Sequence, residues 1–257
     1  MTVSQPGRLI TLKTSQQITK MRESGEVVAA LLKLLRAQVL AGISTAELDA
    51  VAEREIRARG ARSNFKGYHG YPAVICTSIN DEVVHGIPSR KRVLREGDIV
   101  GIDAGAIVDG WHADAAITVG VGKISPEAAR LIAVTEEALR LAIATLQPGR
   151  RLGDLGAAVQ RYVEGEGFSV VRNYGGHGIG RAMHEEAPFV PNWGEADRGL
   201  PIREGLTVAL EPMVNVGRPE TRLLEDGWTV VTADGSLSAH FEHTVAVTAD
   251  GAVVLTL

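Results

Sequence analysis

Arg95-Glu96-Gly97-Asp98-Ile99-Val100-Gly101-Ile102-Asp103 and Arg203-Glu204-Gly205-Leu206-Thr207-Val208-Ala209-Leu210-Glu211 lie 108 positions apart. Each opens Arg-Glu-Gly, runs through apolar residues and closes on an acid. His69-Gly70 and His177-Gly178 share the offset of 108. Gly42, Glu47, Leu48 and Gly60 line up with Gly149, Asp154, Leu155 and Gly167 at 107. One short glycine-containing match is cheap, but three segments in nearly one register read as an old duplication. The halves then form one pseudo-twofold unit. Asp103 and Glu211 become symmetry mates, each closing a strand that points at the same place.

The elements around these segments repeat in the same order. Ile18, Met21, Val28, Leu31, Leu32, Leu35 and Val39 recur at helical spacing and predict a helix over 16–40, stopped by Gly42. Ser44-Thr45-Ala46-Glu47 is a capping box for a second helix over 45–59. Strands follow at 73–78, 98–108 and 111–119, and Asp109-Gly110 between the last two is a hairpin signal. Ser125-Pro126-Glu127 opens a third helix to about 146, with serine as cap and proline in the first turn. A fourth covers 152–166, and strands and loops follow from Phe168. The expected fold is α/β (α+β), with two helix-helix-strand halves in a single domain over 16–257. A polar, aperiodic arm is expected over 1–15.

The chain has 257 residues, 45% hydrophobic and 23% charged, which is enough apolar material for a sizeable core. A net charge of −4 gives no reason to expect nucleic acid. The single cysteine, Cys76, cannot form an internal disulfide and fits a reducing compartment. No signal pattern or bilayer-length apolar run is present, so a cytoplasmic protein is expected.

Asp103, Asp114, His177, Glu211 and Glu242 are the candidate metal ligands. Four carboxylates and an imidazole suit Mn, Fe, Co or Zn, and bridging carboxylates could hold two ions about 3.5–4 Å apart. Asp103 and Asp114 flank the Asp109-Gly110 turn and are expected nearly opposite each other on neighbouring strands. Two such acids among Ile102, Ala115, Ala116 and Ile117 need a counter-charge. The glycines around His177 let backbone crowd the imidazole, and the stretch lacks the marks of a phosphate loop. His85 and His184 remain as candidate hydrogen-bond donors to a substrate.

Taken together, these segments resemble the type I methionine aminopeptidases from about residue 16 to the end. The resemblance rests on Tyr68-His69-Gly70-Tyr71-Pro72, Cys76-Thr77-Ser78-Ile79-Asn80 and His85-Gly86-Ile87-Pro88. Asp103-Ala104-Gly105, Asp114, Gly176-His177-Gly178-Ile179-Gly180, Glu211-Pro212-Met213 and 236–244 continue it. It implies a pita-bread fold with a central antiparallel sheet, and removal of the initiator methionine before a small second residue. By the same resemblance Asp103 and Asp114 bind one ion, His177 and Glu211 the other, and Asp114 and Glu242 bridge them. Hydroxide between the ions is then the nucleophile and Glu211 the base. His184 serves the scissile carbonyl and His85 the amide nitrogen. Phe65, Tyr68, Tyr71, Cys76, Met183 and Trp228 form the methionine pocket. Asn80 and Ser238 match positions near a monovalent-cation site in some relatives. Nascent polypeptide N-termini are the implied partners, with ribosome contact following from that substrate class. A monomer is expected.

The chain departs from the family pattern at Met183, where many relatives carry an aromatic, and at Phe65, often cysteine. His240-Phe241 stands where Gln-Tyr or Gln-Phe is common. Three alternatives stay open at this point: a prolidase or aminopeptidase P, which shares the fold and ligands, a non-catalytic binding protein built on the same scaffold, and a structural acidic cluster with no hydrolysis.

Overall fold

A computed structural model describes residues 2–5 and 8–257, with side chains from Ile10 onward. Four helices, α1 (Ser15–Gln38), α2 (Thr45–Ala58), α3 (Pro126–Thr145) and α4 (Leu152–Gly165), form two pairs that flank a nine-stranded antiparallel sheet. Local chemistry sets their ends. Thr14 and Ser44 each accept a hydrogen bond from the third helical N–H of α1 and α2, with Gln17 and Glu47 completing capping boxes. Ser125 caps α3 ahead of Pro126.

The sheet shows the expected duplication. Strand Trp111–Gly120 meets strand Glu242–Thr248 at its centre, through Glu242 opposite Ala116 and His243 opposite Ala115. Outward from that seam lie Ile99–Val108 on one side and Thr207–Leu210 on the other, the two strands identified as symmetry mates. Each half has its own apolar core. Leu31, Leu35, Leu48, Ile75 and Ile102 fill one. Leu131, Leu146, Leu155, Val208 and Val245 fill the other.

The turn at Asp109-Gly110 has positive φ at both residues, 49° and 74°, as a two-residue hairpin of matching twist requires. Its register corrects one expectation. Asp103 faces Ala116, and Asp114 faces Gly105, so the two acids are diagonal neighbours rather than directly opposed. They still share a face, because positions two apart on a strand point the same way.

The N-terminal segment also departs from expectation. Thr2–Gln5 pairs with Arg8–Thr11 as a two-stranded hairpin, and Ile10 is buried in the second core. Met1, Pro6 and Gly7 lie outside the described residues. Among the described residues no helix is long and apolar enough to cross a membrane.

Candidate metal centre and active site

Strand register brings the five candidate ligands together. Cys76, Asp103, Ala116 and Glu242 occupy one row across four strands. Asp114 is two positions along the same face. On the far side of the seam His177 pairs with Ala209, which places Glu211, two residues on, above the same face. His177 Nε2 is 3.7 Å from Asp114 Oδ2 and 3.7 Å from Glu211 Oε1. One ligand atom each from Asp114, His177 and Glu242 lie within 4.8 Å of one another.

The electrostatics of this cluster need a cation. Burial, reinforced by neighbouring carboxylates, pushes Asp103, Glu211 and Glu242 well above the usual carboxylate range. Burial raises Asp114 to about 6, although Thr244 donates a hydrogen bond to it. Asp103 Oδ1 is buried with no hydrogen-bond partner. Acids stacked in an apolar interior with an unused oxygen fit a divalent ion held by oxygen and imidazole donors.

His177 is prepared for that role. Its Nδ1–H donates to the Gly178 carbonyl at 3.1 Å, which turns the Nε2 lone pair toward the acids. Burial lowers its pKa to about 4, so the ring is neutral at pH 7. Burial and the adjacent His184 likewise bring His85 to about 4. His184 stacks edge-on against His177, with ring centroids 4.0 Å apart. Desolvation and then His177 lower it to about 4. Its Nδ1 lies 2.8 Å from the Tyr68 hydroxyl.

Beside the acids lies an apolar recess. Phe65, Tyr71, Cys76 and Met183 are buried against one another, with Tyr68 and Trp228 partly buried at its rim. Tyr71 and Trp228 meet edge to face at 5.0 Å. One cleft is lined by these six side chains, the four acids and one imidazole of the cluster, and His85 and His184. Asn80 and Ser238 also adjoin, since the Ser238 N–H donates to the Asn80 carbonyl at 2.8 Å. The Asn80 side chain is already used at both ends, donating to Asp98 and accepting from the Ile99 N–H.

Two features of the site escaped the sequence reading. His240, seen only as a departure from a family pattern, is buried with its Nε2 toward Glu211 and Glu242. Lys13, in the supposed arm, is buried and bonds Glu185 at 2.5 Å, next to His184. Neither has a local sequence signal, because each depends on contacts between distant segments.

Comparison with known proteins places this site. Residues 19–249 match the model of metallopeptidase family M24. The chain is 51% identical to methionine aminopeptidase A of Synechocystis sp. over 251 residues, which span 98% of this chain and 99% of that one. The crystal structure of methionine aminopeptidase from Thermotoga maritima superposes with a TM-score of 0.94 at 43% identity, covering 96% of this chain and 99% of that one. The prolidase from Pyrococcus furiosus reaches a TM-score of 0.77 at 20% identity, and 65% of that chain is covered. This last likeness is one of fold alone. The chain is therefore a metallohydrolase of family M24 with the pita-bread fold, and within that family it belongs to the type I methionine aminopeptidases.

Proposed function

We propose that the protein removes the N-terminal methionine from new polypeptides in the cytoplasm, preferring a small second residue, with two divalent ions at its centre. The observation that carries this reading is the single cleft in which an apolar recess opens directly onto the buried acid–imidazole cluster. Asp103 and Asp114 would hold one ion and His177 and Glu211 the other, with Asp114 and Glu242 shared. Bound ions would offset the carboxylate charge and lower the pKa of a water to near neutrality.

The remaining chemistry belongs to the side chains. Phe65, Tyr68, Tyr71, Cys76, Met183 and Trp228 take up the thioether side chain, whose flexibility suits a soft apolar wall. A neutral free α-amino group would bind at the ions held by the acid cluster, which favours a chain end over an internal peptide. Glu211 accepts a proton from the attacking water and delivers it to the departing amine. Neutral His184 donates from Nε2 to the scissile carbonyl oxygen as negative charge grows there. His85, which lines the same cleft beside Trp228, would serve the scissile nitrogen.

A panel of Met-Ala-Ser and Xaa-Pro peptides, assayed with Mn(II) or Co(II), tests the reading. Release of methionine with no cleavage of Xaa-Pro is expected. Preferential Xaa-Pro cleavage would assign the site to prolidase-type chemistry, and no cleavage of either would leave a binding protein.

A further inference from the structure

His240 sits at the end of strand Ser238–His240, which pairs with Met213–Asn215 just beyond Glu211-Pro212. Its backbone is clasped from the other side. Thr118 Oγ1 donates to the His240 carbonyl at 2.8 Å, and the His240 N–H donates back to Thr118 Oγ1 at 3.0 Å. The ring is thus fixed in the interior, 4% exposed for the whole residue. Its Nε2 has no hydrogen-bond partner.

That unpartnered nitrogen has a direction. It lies 3.8 Å from Glu211 Oε2 and 4.0 Å from Glu242 Oε2. The two oxygens of Glu211 therefore face two different imidazoles, Oε1 toward His177 and Oε2 toward His240. A carboxylate that ligates through one oxygen is commonly steadied through the other. A lone pair on Nε2 would be repelled by both acids, so the tautomer that suits the site carries the proton there. Moving from 3.8 Å into hydrogen-bond range takes a shift of about 0.6 Å.

We propose that His240 is a positioning residue of the metal centre: its Nε2–H donates to Glu211 Oε2 and, more distantly, to Glu242, orienting both for the ions. This rests on the dinuclear reading above and adds a nitrogen that the five-ligand set does not contain. His240→Leu removes the donor, whereas His240→Gln keeps an N–H.

The test is calorimetric titration of Co(II) into metal-free native protein and both variants, with the visible spectrum of the Co(II) forms and steady-state kinetics on Met-Ala-Ser. His240→Leu should lose roughly tenfold to a hundredfold in Co(II) affinity, the usual effect of deleting such a partner. Its Co(II) spectrum should change and its kcat should fall with KM nearly constant. His240→Gln should recover most of the affinity. Native affinity, spectrum and kcat in His240→Leu would overturn the proposal. Should that variant fail to fold, nitrogen-15 spectra of histidine-labelled native protein loaded with Zn(II) decide. A protonated, hydrogen-bonded Nε2, assigned through its loss in His240→Gln, supports the role, and an unprotonated one overturns it. Native protein that takes up no Co(II) would instead sink the reading of the whole centre.

Discussion

The Tyr68 hydroxyl lies 2.8 Å from His184 Nδ1, so the wall of the apolar recess and the ring beside the acid–imidazole cluster share one hydrogen bond. With the hydroxyl donating, the His184 proton sits on Nε2, on the side of the cleft. Tyr68→Phe keeps the recess apolar and removes this control. A fall in kcat on the order of tenfold is expected, with KM for Met-Ala-Ser little changed. His184→Ala, which removes the proposed donor itself, should cost about a hundredfold or more. Equal kinetics for Tyr68→Phe and the native enzyme would separate the pocket from the chemistry.

The buried acids make metal-free protein sensitive to pH. A carboxylate raised by burial binds more protons folded than unfolded, so its contribution to stability is complete below the ordinary pKa and is lost as pH rises. For Asp114 that window runs from 3.8 to about 6, and burial carries Asp103, Glu211 and Glu242 in the same direction. His85, His177 and His184, lowered to about 4 by burial, push the other way over the same range, so the acid contribution is read as a difference: the Tm of chelator-treated native protein relative to chelator-treated Asp103→Asn should fall from pH 4 to pH 7. Saturating Mn(II) should reverse the trend, because protons compete with the ion for the same oxygens. At a hundred times Kd the ion adds about 2.7 kcal/mol. Melting curves with and without Mn(II) at several pH values check both slopes.

Asp103→Asn separates stability from function. The change removes a buried charge whose Oδ1 has no partner. Metal-free Asp103→Asn should melt higher than native protein at pH 7, while metal affinity falls on the order of a hundredfold or more. A lower Tm without metal would show that Asp103 is stabilising by itself.

Lys13 and Glu185 form an ion pair at 2.5 Å, with side-chain exposures of 1% and 13%. Lys13 Nζ also donates to the Thr11 carbonyl, and the Glu185 N–H donates to the Gly178 carbonyl beside His177. A Cβ on Gly180 would lie 2.5 Å from both Lys13 Cε and Glu185 Oε1, so a larger residue there would have to displace the ends of the pair. Removing the ammonium leaves the half-buried Glu185 carboxylate without its partner. Lys13→Met should lose about 1–3 kcal/mol of stability, measured by urea unfolding. A loss within experimental error of zero would mean that Glu185 reaches solvent.

Much of the fold was legible because its signals are local. The Ser44–Glu47 box, the Ser125-Pro126 start and the Asp109-Gly110 turn each fix backbone geometry within a few residues. The 108-residue repeat supplied the long-range link between Asp103 and Glu211, whose strands take equivalent places in the sheet. The diagonal register of Asp103 and Asp114 was less visible. The count to the turn is six residues on one side and four on the other, an offset of two that preserves the face but not the pairing. The capping box of Thr14 and Gln17 is readable too, and it extends the order of the first helix into the stretch expected as an arm over 1–15. His240, Lys13 and the Tyr68–His184 bond depend on residues far apart in the chain, and no periodicity encodes them.

The central claim is that the acid–imidazole cluster works by binding ions. Stepwise addition of Mn(II) to metal-free protein, with methionine release from Met-Ala-Ser as the readout, tests it most directly. Activity should be absent at the start, rise with added ion, level off by two ions per chain, and vanish again with chelator. Full turnover in the metal-free protein, or none at saturating Mn(II), would contradict it.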